Sequence, residues 1–365
     1  MEDNFFLDKQ ILDQLRQPVL FAQGDVFVHG NQAAAAILQL ESHQLDDHLS
    51  DDEMEAYRAL EEGSQLVVNL EVSGQFCQTT ISKSGAYASF ILQDSPSELD
   101  ISLDVLPSLA YAVRAPLTQI FEAMDELFPL LEDYENQVYN NLTAHANQAM
   151  YRLLRITANM FDYPMFIQST RPLYIEKVNI KSYFDEHIKE LESMAIACNM
   201  TLQTEVNFKN LVGYFDKQQI FRMILNLFSN AVSASHPGAI IRLQLTTKGK
   251  ILQVRVEDKG AGIPPHVLAS LFNQFDAGNL HEKRGSAAGF GLPLARQIAL
   301  SHGGNLMLNS APNQGTVAIA TAKISQENTS LSTPAAQLDY TSGHNICTLE
   351  MSELLPVKDF YSSSL

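Results

Sequence analysis

The sequence predicts a multidomain α+β protein, and three observations carry that expectation. Residues 1–97 alternate β-like and helical runs, residues 98–170 hold two long helical patterns, and residues 171–325 alternate helices and strands around two glycine-rich stretches. The remaining residues, 326–365, are Ser/Thr-rich and weakly periodic. They are expected to be mostly disordered, with a short docking segment around LEMSELLPV.

In the first segment, VLFA and VFVH flank the turn QGD, a hairpin signature. NQAAAAILQL follows as a short helix. SQLVVNLEVSGQFCQTTISKSGAYASFILQD then supplies three strand-like runs broken at Ser-Gly pairs. Two strands, helices and three strands make a small one-sheet layout. The stretch PVLFAQGDVFVHGNQAAAAIL resembles the opening of a PAS domain, which implies a PAS-like sensor domain over 1–97.

SPSELD, at 95–100, reads as a hinge. In the first helix beyond it, apolar residues fall at Leu106, Leu109, Val113, Leu117, Ile120, Met124, Leu127 and Leu131. In the second they fall at Val138, Leu142, Ala146, Ala149, Leu153, Ile156 and Met160. Steps of three and four make a coiled-coil-like seam, with the turn near LEDYEN. A lone hairpin cannot bury such a seam on both helices. Two copies make a four-helix bundle, so a homodimer is expected.

Four stretches of the third segment converge on one chemistry. NLFSNA places Asn226 and Asn230 four residues apart on one helix face, where amide groups can meet Mg²⁺ and phosphate. VEDKGAGIPP ends a strand with an aspartate followed by glycines, so a carboxylate and bare backbone can approach a flat ring. GSAAGFGLPLARQI sets glycines directly before a helix, whose free N–H groups suit phosphate. NQGTVAIA puts Gly315 and Thr316 at a strand start.

In this order the four motifs resemble the ATP-binding domain of the histidine kinases, a superfamily shared with gyrase, the Hsp90 chaperones and MutL. The resemblance covers about 97–325 and implies an α/β sandwich that binds ATP and Mg²⁺. It assigns Asn226 to Mg²⁺ and Asn230 to phosphate and metal. Asp258 would accept from the adenine amino group, with Gly260 and Gly262 shaping the pocket. Phe272 and Phe275 would form an aromatic box, Gly289 and Gly291 would cradle phosphate next to Leu292, and Thr316 would lie near adenine. Ala287 and Ala288 depart from the family's GGTGLGL-like run. Ser233 stands where a basic residue commonly follows the asparagine helix, and Lys283 and Arg284 are the charges that can compensate. The superfamily's ATPases carry a water-activating glutamate where Asn226 stands. An amide is no general base, which disfavours gyrase-like hydrolysis.

The same resemblance extends to AYAVRAPLTQI at 110–120. Histidine kinases carry a motif like HExRTPL on the first helix of this hairpin. Arg114, Pro116 and Leu117 fit it, and YRLLRI at 151–156 resembles the family's second helix. Tyr111 then stands where the phosphoacceptor histidine belongs, Ala112 where the neighbouring acid belongs, and Ala115 where the water-positioning Thr or Asn belongs. A phenol is protonated at neutral pH and is a poor nucleophile without a base. Nucleophile, base and water-positioning group are all absent from this turn.

Composition narrows the rest. Lys+Arg 24 against Asp+Glu 42 leaves a net charge of −18, which argues against nucleic acid or an anionic membrane as main partner. Cys77, Cys198 and Cys347 are scattered and suggest neither disulfides nor zinc. No signal pattern and no apolar run of membrane-spanning length is present, so a cytoplasmic location is expected. The leading reading is a pseudo-histidine kinase. It binds Mg-ATP, lacks histidine autophosphorylation and serves a response regulator or partner kinase as regulator or scaffold. The alternatives are an active kinase using Tyr111 or a partner protein as acceptor, and an interaction protein with a vestigial nucleotide site.

Overall fold

The β-branched and aromatic runs of the first segment form strands in the computed structural model. The structure describes residues 18–37, 43–72, 75–92, 105–132, 137–168, 171–208, 212–264, 267–268, 290–324 and 345–361. The chain divides into two units. One holds residues 1–99, 259–274 and 305–319, and the other 100–258, 275–304 and 320–365.

In the first unit, β1 (Val19–Gln23) and β2 (Val26–Gly30) form an antiparallel hairpin. Gly24 turns it at φ 60°, a conformation side chains resist. Buried Asn31 closes the motif. Its Oδ1 accepts from Val19 N at 3.0 Å and from Ala34 N at 2.9 Å, tying β1 to the start of α1 (Gln32–Ile37). α2 (Asp51–Arg58) opens on a capping box between Ser50 and Glu53. β3 (Gln65–Val72), β4 (Gln75–Ser84) and β5 (Tyr87–Leu92) complete a sheet ordered β2-β1-β5-β4-β3. Phe27 and Phe90 meet edge-on at 5.0 Å in its core, among Leu45, Leu66, Leu70 and Ile81. The other edge of β3 pairs antiparallel with β11 (Leu306–Ala311), setting Leu308 opposite Val67 and Ser310 opposite Gln65. Asn305 Nδ2 donates to Glu53 Oε1 at 2.6 Å, so the capping glutamate also holds the start of β11.

The second unit begins with a hairpin of α3 (Val105–Glu132) and α4 (Gln137–Ile167). α3 runs unbroken through Pro116, and α4 through Pro164. Leu106, Ala110, Leu117 and Phe121 of α3 pack inward with Ala144, Met150, Tyr151 and Leu154 of α4, and the Phe121 and Tyr151 rings meet at 5.6 Å. Only part of the apolar seam is covered. Leu109, Val113, Ile120, Leu127, Val138, Leu142 and Leu153 are exposed, because each helix carries a second apolar stripe that its hairpin partner does not reach.

Next come β6 (Glu176–Asn179) and β8 (Val212–Phe215), an antiparallel pair with no clear sequence signal at four residues each. α5 (Ile180–Ala197), β7 (Thr201–Asn207), α6 (Lys217–Ala234), β9 (Ile240–Lys248), β10 (Ile251–Asp258), α7 (Gly291–Ser301) and the end of β12 (Gly315–Lys323), whose residues 315–319 belong to the first unit, complete the segment. β9 pairs parallel with β7 and antiparallel with β10, whose residues alternate between buried and half-buried. α6 is buried nearly all round, with Ile220, Phe221, Met223, Ile224, Leu225, Leu227 and Phe228 inside, as a central helix must be. Asp216 caps it, accepting from Gln219 N at 3.1 Å and from Tyr174 N at 3.0 Å.

Of the carboxy-terminal stretch 326–365, read from the sequence as a mostly disordered tail with a short docking segment, the structure describes residues 345–361. Residues 345–361 form α8 (Ile346–Glu350) and a 3-10 turn at Val357–Phe360. Cys347, Leu349, Met351, Leu355 and Phe360 are buried anchors whose irregular spacing gives no periodic signal. The LEMSELLPV stretch docks on its own chain, against α4, α5 and α6. Among the described residues no helix is long and apolar enough to cross a membrane.

Candidate functional site

α6 positions the asparagine pair. Asn226 is fully buried, and its Nδ2 donates to Arg222 O at 2.9 Å. A carbonyl can only accept, so this bond fixes the nitrogen toward the helix and turns Oδ1 outward. That oxygen has no hydrogen-bond partner among the described residues. Asn230 is half-buried and repeats the geometry, with Nδ2 donating to Asn226 O at 2.8 Å. Both amides thus offer an oxygen along one side of α6.

Gly291 opens α7 against this pair. A Cβ on Gly291 would lie 2.9 Å from Asn226 Oδ1 and 3.6 Å from Asn230 Nδ2, so the site needs a glycine there. Phe290, just before it, is buried edge-on against Tyr163 of α4 at 5.7 Å. Burial raises the Tyr163 hydroxyl pKa and pushes the neighbouring Arg296 guanidinium down to about 10. Asp258 ends β10 with its side chain buried. Leu292 is half-buried in the first turn of α7.

The other assigned residues belong to the first unit. Gly260 is buried, and Gly262 has φ 66°. A Cβ on Gly262 would meet Ala311 O at 2.0 Å, so no other residue fits without moving backbone. Ser310 is the node here. Its Oγ accepts from Ile263 N at 2.9 Å, donates to Gly315 O at 2.9 Å and lies 2.9 Å from Thr316 Oγ1. Asn313 N donates to Ala261 O at 2.7 Å. Ser310 therefore ties the glycine loop to the β11–β12 turn and orients Thr316, yet a lone serine before APNQGT carries no local signature. Phe272, Phe275, Gly289, Ala287, Ala288, Lys283 and Arg284 lie outside the described residues.

On the hairpin, Tyr111 is 73% exposed on α3, with Ala112 and Ala115 also exposed beside it. His145 is exposed on α4, His236 is exposed after α6, and His302 is buried. The His302 Nδ1–H donates to Ile298 O at 2.8 Å, and burial lowers its pKa.

Residues 215–326 match the family of histidine kinase-, DNA gyrase B-, and HSP90-like ATPases. Sensor protein VanSC of Enterococcus gallinarum is 27% identical over 210 residues, 57% of this chain and 57% of that protein. The alginate biosynthesis sensor protein KinB of Pseudomonas aeruginosa is 26% identical over 206 residues, 56% of this chain and 34% of that one. A Formosa agariphila protein, Histidine kinase P4, is 27% identical over 59% of this chain but only 16% of its own length. The chain thus spans well under two thirds of each relative. The crystal structure of full-length ShkA in complex with AMPPNP shares the fold, with a TM-score of 0.50 at 16% identity over 63% of this chain and 47% of that one.

Proposed function

The chain belongs to the sensor histidine kinase family, and on that premise we propose that it is an Mg-ATP-binding signalling protein whose own hairpin takes no phosphoryl group on histidine. The observation that carries this reading is the pairing of two features. Asn226 Oδ1 is buried without a partner among the described residues, and the acceptor turn offers Tyr111, Ala112 and Ala115. A buried oxygen that lacks a donor is costly unless a ligand supplies one. An amide oxygen is a hard donor of the kind Mg²⁺ takes.

Asn226 would hold Mg²⁺, and Asn230 would meet metal and phosphate. Bound Mg²⁺ would neutralise phosphate charge. Asp258 would accept from the adenine amino group. Gly260 and Gly262 would leave backbone bare against the base, and Thr316, oriented by Ser310, would lie beside it. Gly289, Gly291 and Leu292 would frame the phosphates, with Phe272 and Phe275 as the aromatic box. The layout of two strands, helices and three strands supports a PAS-like sensor module over 1–97. The exposed stripe from Leu109 to Leu153 supports a second copy closing a four-helix bundle. In a cytoplasmic homodimer of this kind, ATP acts as a conformational ligand. The hairpin is then the docking face for a response regulator or partner kinase.

Incubating the purified protein with γ-labelled ATP and Mg²⁺ tests the reading. Micromolar binding by calorimetry with no acid-labile, alkali-stable label is the expected result, and such a label would refute it. A second reading has its own support, since Tyr111 is 73% exposed on α3. If Tyr111 is an acceptor, the label is acid-stable and disappears in Tyr111→Phe. Absence of any nucleotide binding would leave the interaction-protein reading.

A further inference from the structure

We propose that residues 345–361 form a releasable strap that latches hairpin helix α4 to the asparagine helix α6 through Glu350. One face of α4 carries Gln148, Arg152, Arg155, Asn159 and Asp162 at steps of four and three, a polar stripe on a helix otherwise read by its apolar seam. All but Arg152 are buried. Glu350 of α8 is fully buried and bridges two helices, pairing with Arg155 Nε of α4 at 2.9 Å and with Arg222 Nε of α6 at 2.9 Å. Arg222 continues to Asp162 and to Asn159 Oδ1, the latter at 2.7 Å, and Asp162 also takes Arg171. Strap carbonyls take further amide donors of α4. Gln148 Nε2 donates to Ser352 O at 3.1 Å and to Leu355 O at 2.9 Å, and Asn147 Nδ2 donates to Phe360 O at 3.0 Å.

Buried ion networks add little net stability, and in some proteins they set register, whereas removing one partner is strongly destabilising. This one sets the register of α4 against α6, and Arg222 is also the residue whose carbonyl orients Asn226. The strap follows Ile324 after twenty residues of chain, so it can leave without unpairing a strand. Its helix starts on a side-chain cap, Asn345 Oδ1 accepting from Cys347 N and Thr348 N. Seated, the strap adds the Glu350 bridge between the nucleotide helix and the hairpin. Released, it leaves them joined by the direct pairs of Arg222 with Asp162 and Asn159 and of Arg155 with Ser229 among the described residues, and so loosens their register. The consequence for nucleotide binding rests on the function proposed above. The test uses no nucleotide, so the two readings fail separately.

Hydrogen–deuterium exchange on the full chain decides it. Asn345→Ala removes the α8 cap, and amides in residues 346–355, in α4 around 147–162 and in α6 around 220–230 are expected to speed up together, about fivefold. Glu350→Gln keeps the shape, removes the charge and is expected to give a larger acceleration of the same three segments. Acceleration confined to 346–355 in both variants would overturn the latch. Should either variant unfold, wild-type protein still decides. Cys347, buried on the inner side of the strap itself, is expected to be alkylated faster than the chain unfolds globally. Alkylation no faster than global unfolding would overturn the proposal.

Discussion

Replacing Asn226 by leucine separates what this residue does for the fold from what it does for a ligand. Asn226 is fully buried with Oδ1 unpaired among the described residues, and a buried unsatisfied acceptor costs about 1–3 kcal/mol. Its Nδ2 bond to Arg222 O contributes about 0.5–1.5 kcal/mol, and that carbonyl keeps the i+4 backbone partner of an α-helix when the side chain changes. Leucine is close to isosteric. The missing Cβ of Gly291, whose place would lie 2.9 Å from Oδ1, leaves room for a methyl group. The central values, about 2 kcal/mol gained and about 1 kcal/mol lost, leave a net gain of about 1 kcal/mol for the nucleotide-free variant. Urea unfolding followed by circular dichroism measures it, and calorimetry with Mg-ATP measures the counterpart. The expected result is a more stable protein that has lost at least tenfold in Mg-ATP affinity, about 1.4 kcal/mol. A nucleotide-free variant destabilised by more than about 1 kcal/mol would show that Oδ1 is satisfied in the free protein, and the argument for a cation there would fall.

Gly262→Ala is expected to cost at least tenfold in Mg-ATP affinity by calorimetry, because its Cβ would sit 2.0 Å from Ala311 O. Gly24→Ala has the same sign of φ but nothing within 4 Å, and is expected to cost only about 1 kcal/mol of stability in urea. The thiols are expected to react with iodoacetamide at pH 8 more than tenfold more slowly than in urea-unfolded chain, as followed by mass spectrometry. Burial, then Asp359, pushes Cys198 up to about 11, and burial followed by Glu190 raises Cys347. His302 is buried with its pKa lowered, so the fold favours the neutral ring. Its contribution is complete above the unfolded value of about 6.5 and is lost as pH falls below it. The urea midpoint is therefore expected to fall between pH 7.5 and 5.5, with a shallower fall in His302→Leu. Leu142→Asp, on the exposed stripe, is expected to shift sedimentation from dimer to monomer while Cys347 alkylation stays unchanged, since that stripe and the strap use different faces of α4.

What the sequence shows depends on whether the signal is local. The asparagine pair of α6, the aspartate ending β10 and the glycine opening α7 are contiguous patterns, and the structure places each at an element end or on one helix face. β6 and β8 are four residues each and more than thirty residues apart, so their pairing is a long-range event with no local trace. Ser310 acts through three hydrogen bonds that exist only once Ile263, Gly315 and Thr316 are folded around it. The strap shows in the sequence only as a short docking segment around LEMSELLPV, without its extent or partners, for a related reason. Its anchors Leu349, Met351, Leu355 and Phe360 bury in no fixed period, because two short turns joined by a bend place them and a regular helix does not.

α4 shows why hydropathy alone misassigns its faces. By binary pattern, Val138, Leu142 and Leu153 should be inside and Gln148, Arg155, Asn159 and Asp162 outside. The chain does the reverse. The polar side chains are buried because every one of them meets a partner of matching chemistry, an amide against a strap carbonyl or a guanidinium against Glu350. The apolar ones are exposed because nothing in one copy covers them. A buried polar stripe depends on its partners: Asn159 Nδ2 has none among the described residues, and losing Glu350 leaves Arg155 with Ser229 Oγ at 3.4 Å as its side-chain hydrogen bond there. The exposed apolar stripe carries no such condition and is free to wait for a second copy. Partners for polar groups therefore govern one side of α4 within the chain, and the other side keeps an exposed apolar stripe that a second copy would cover.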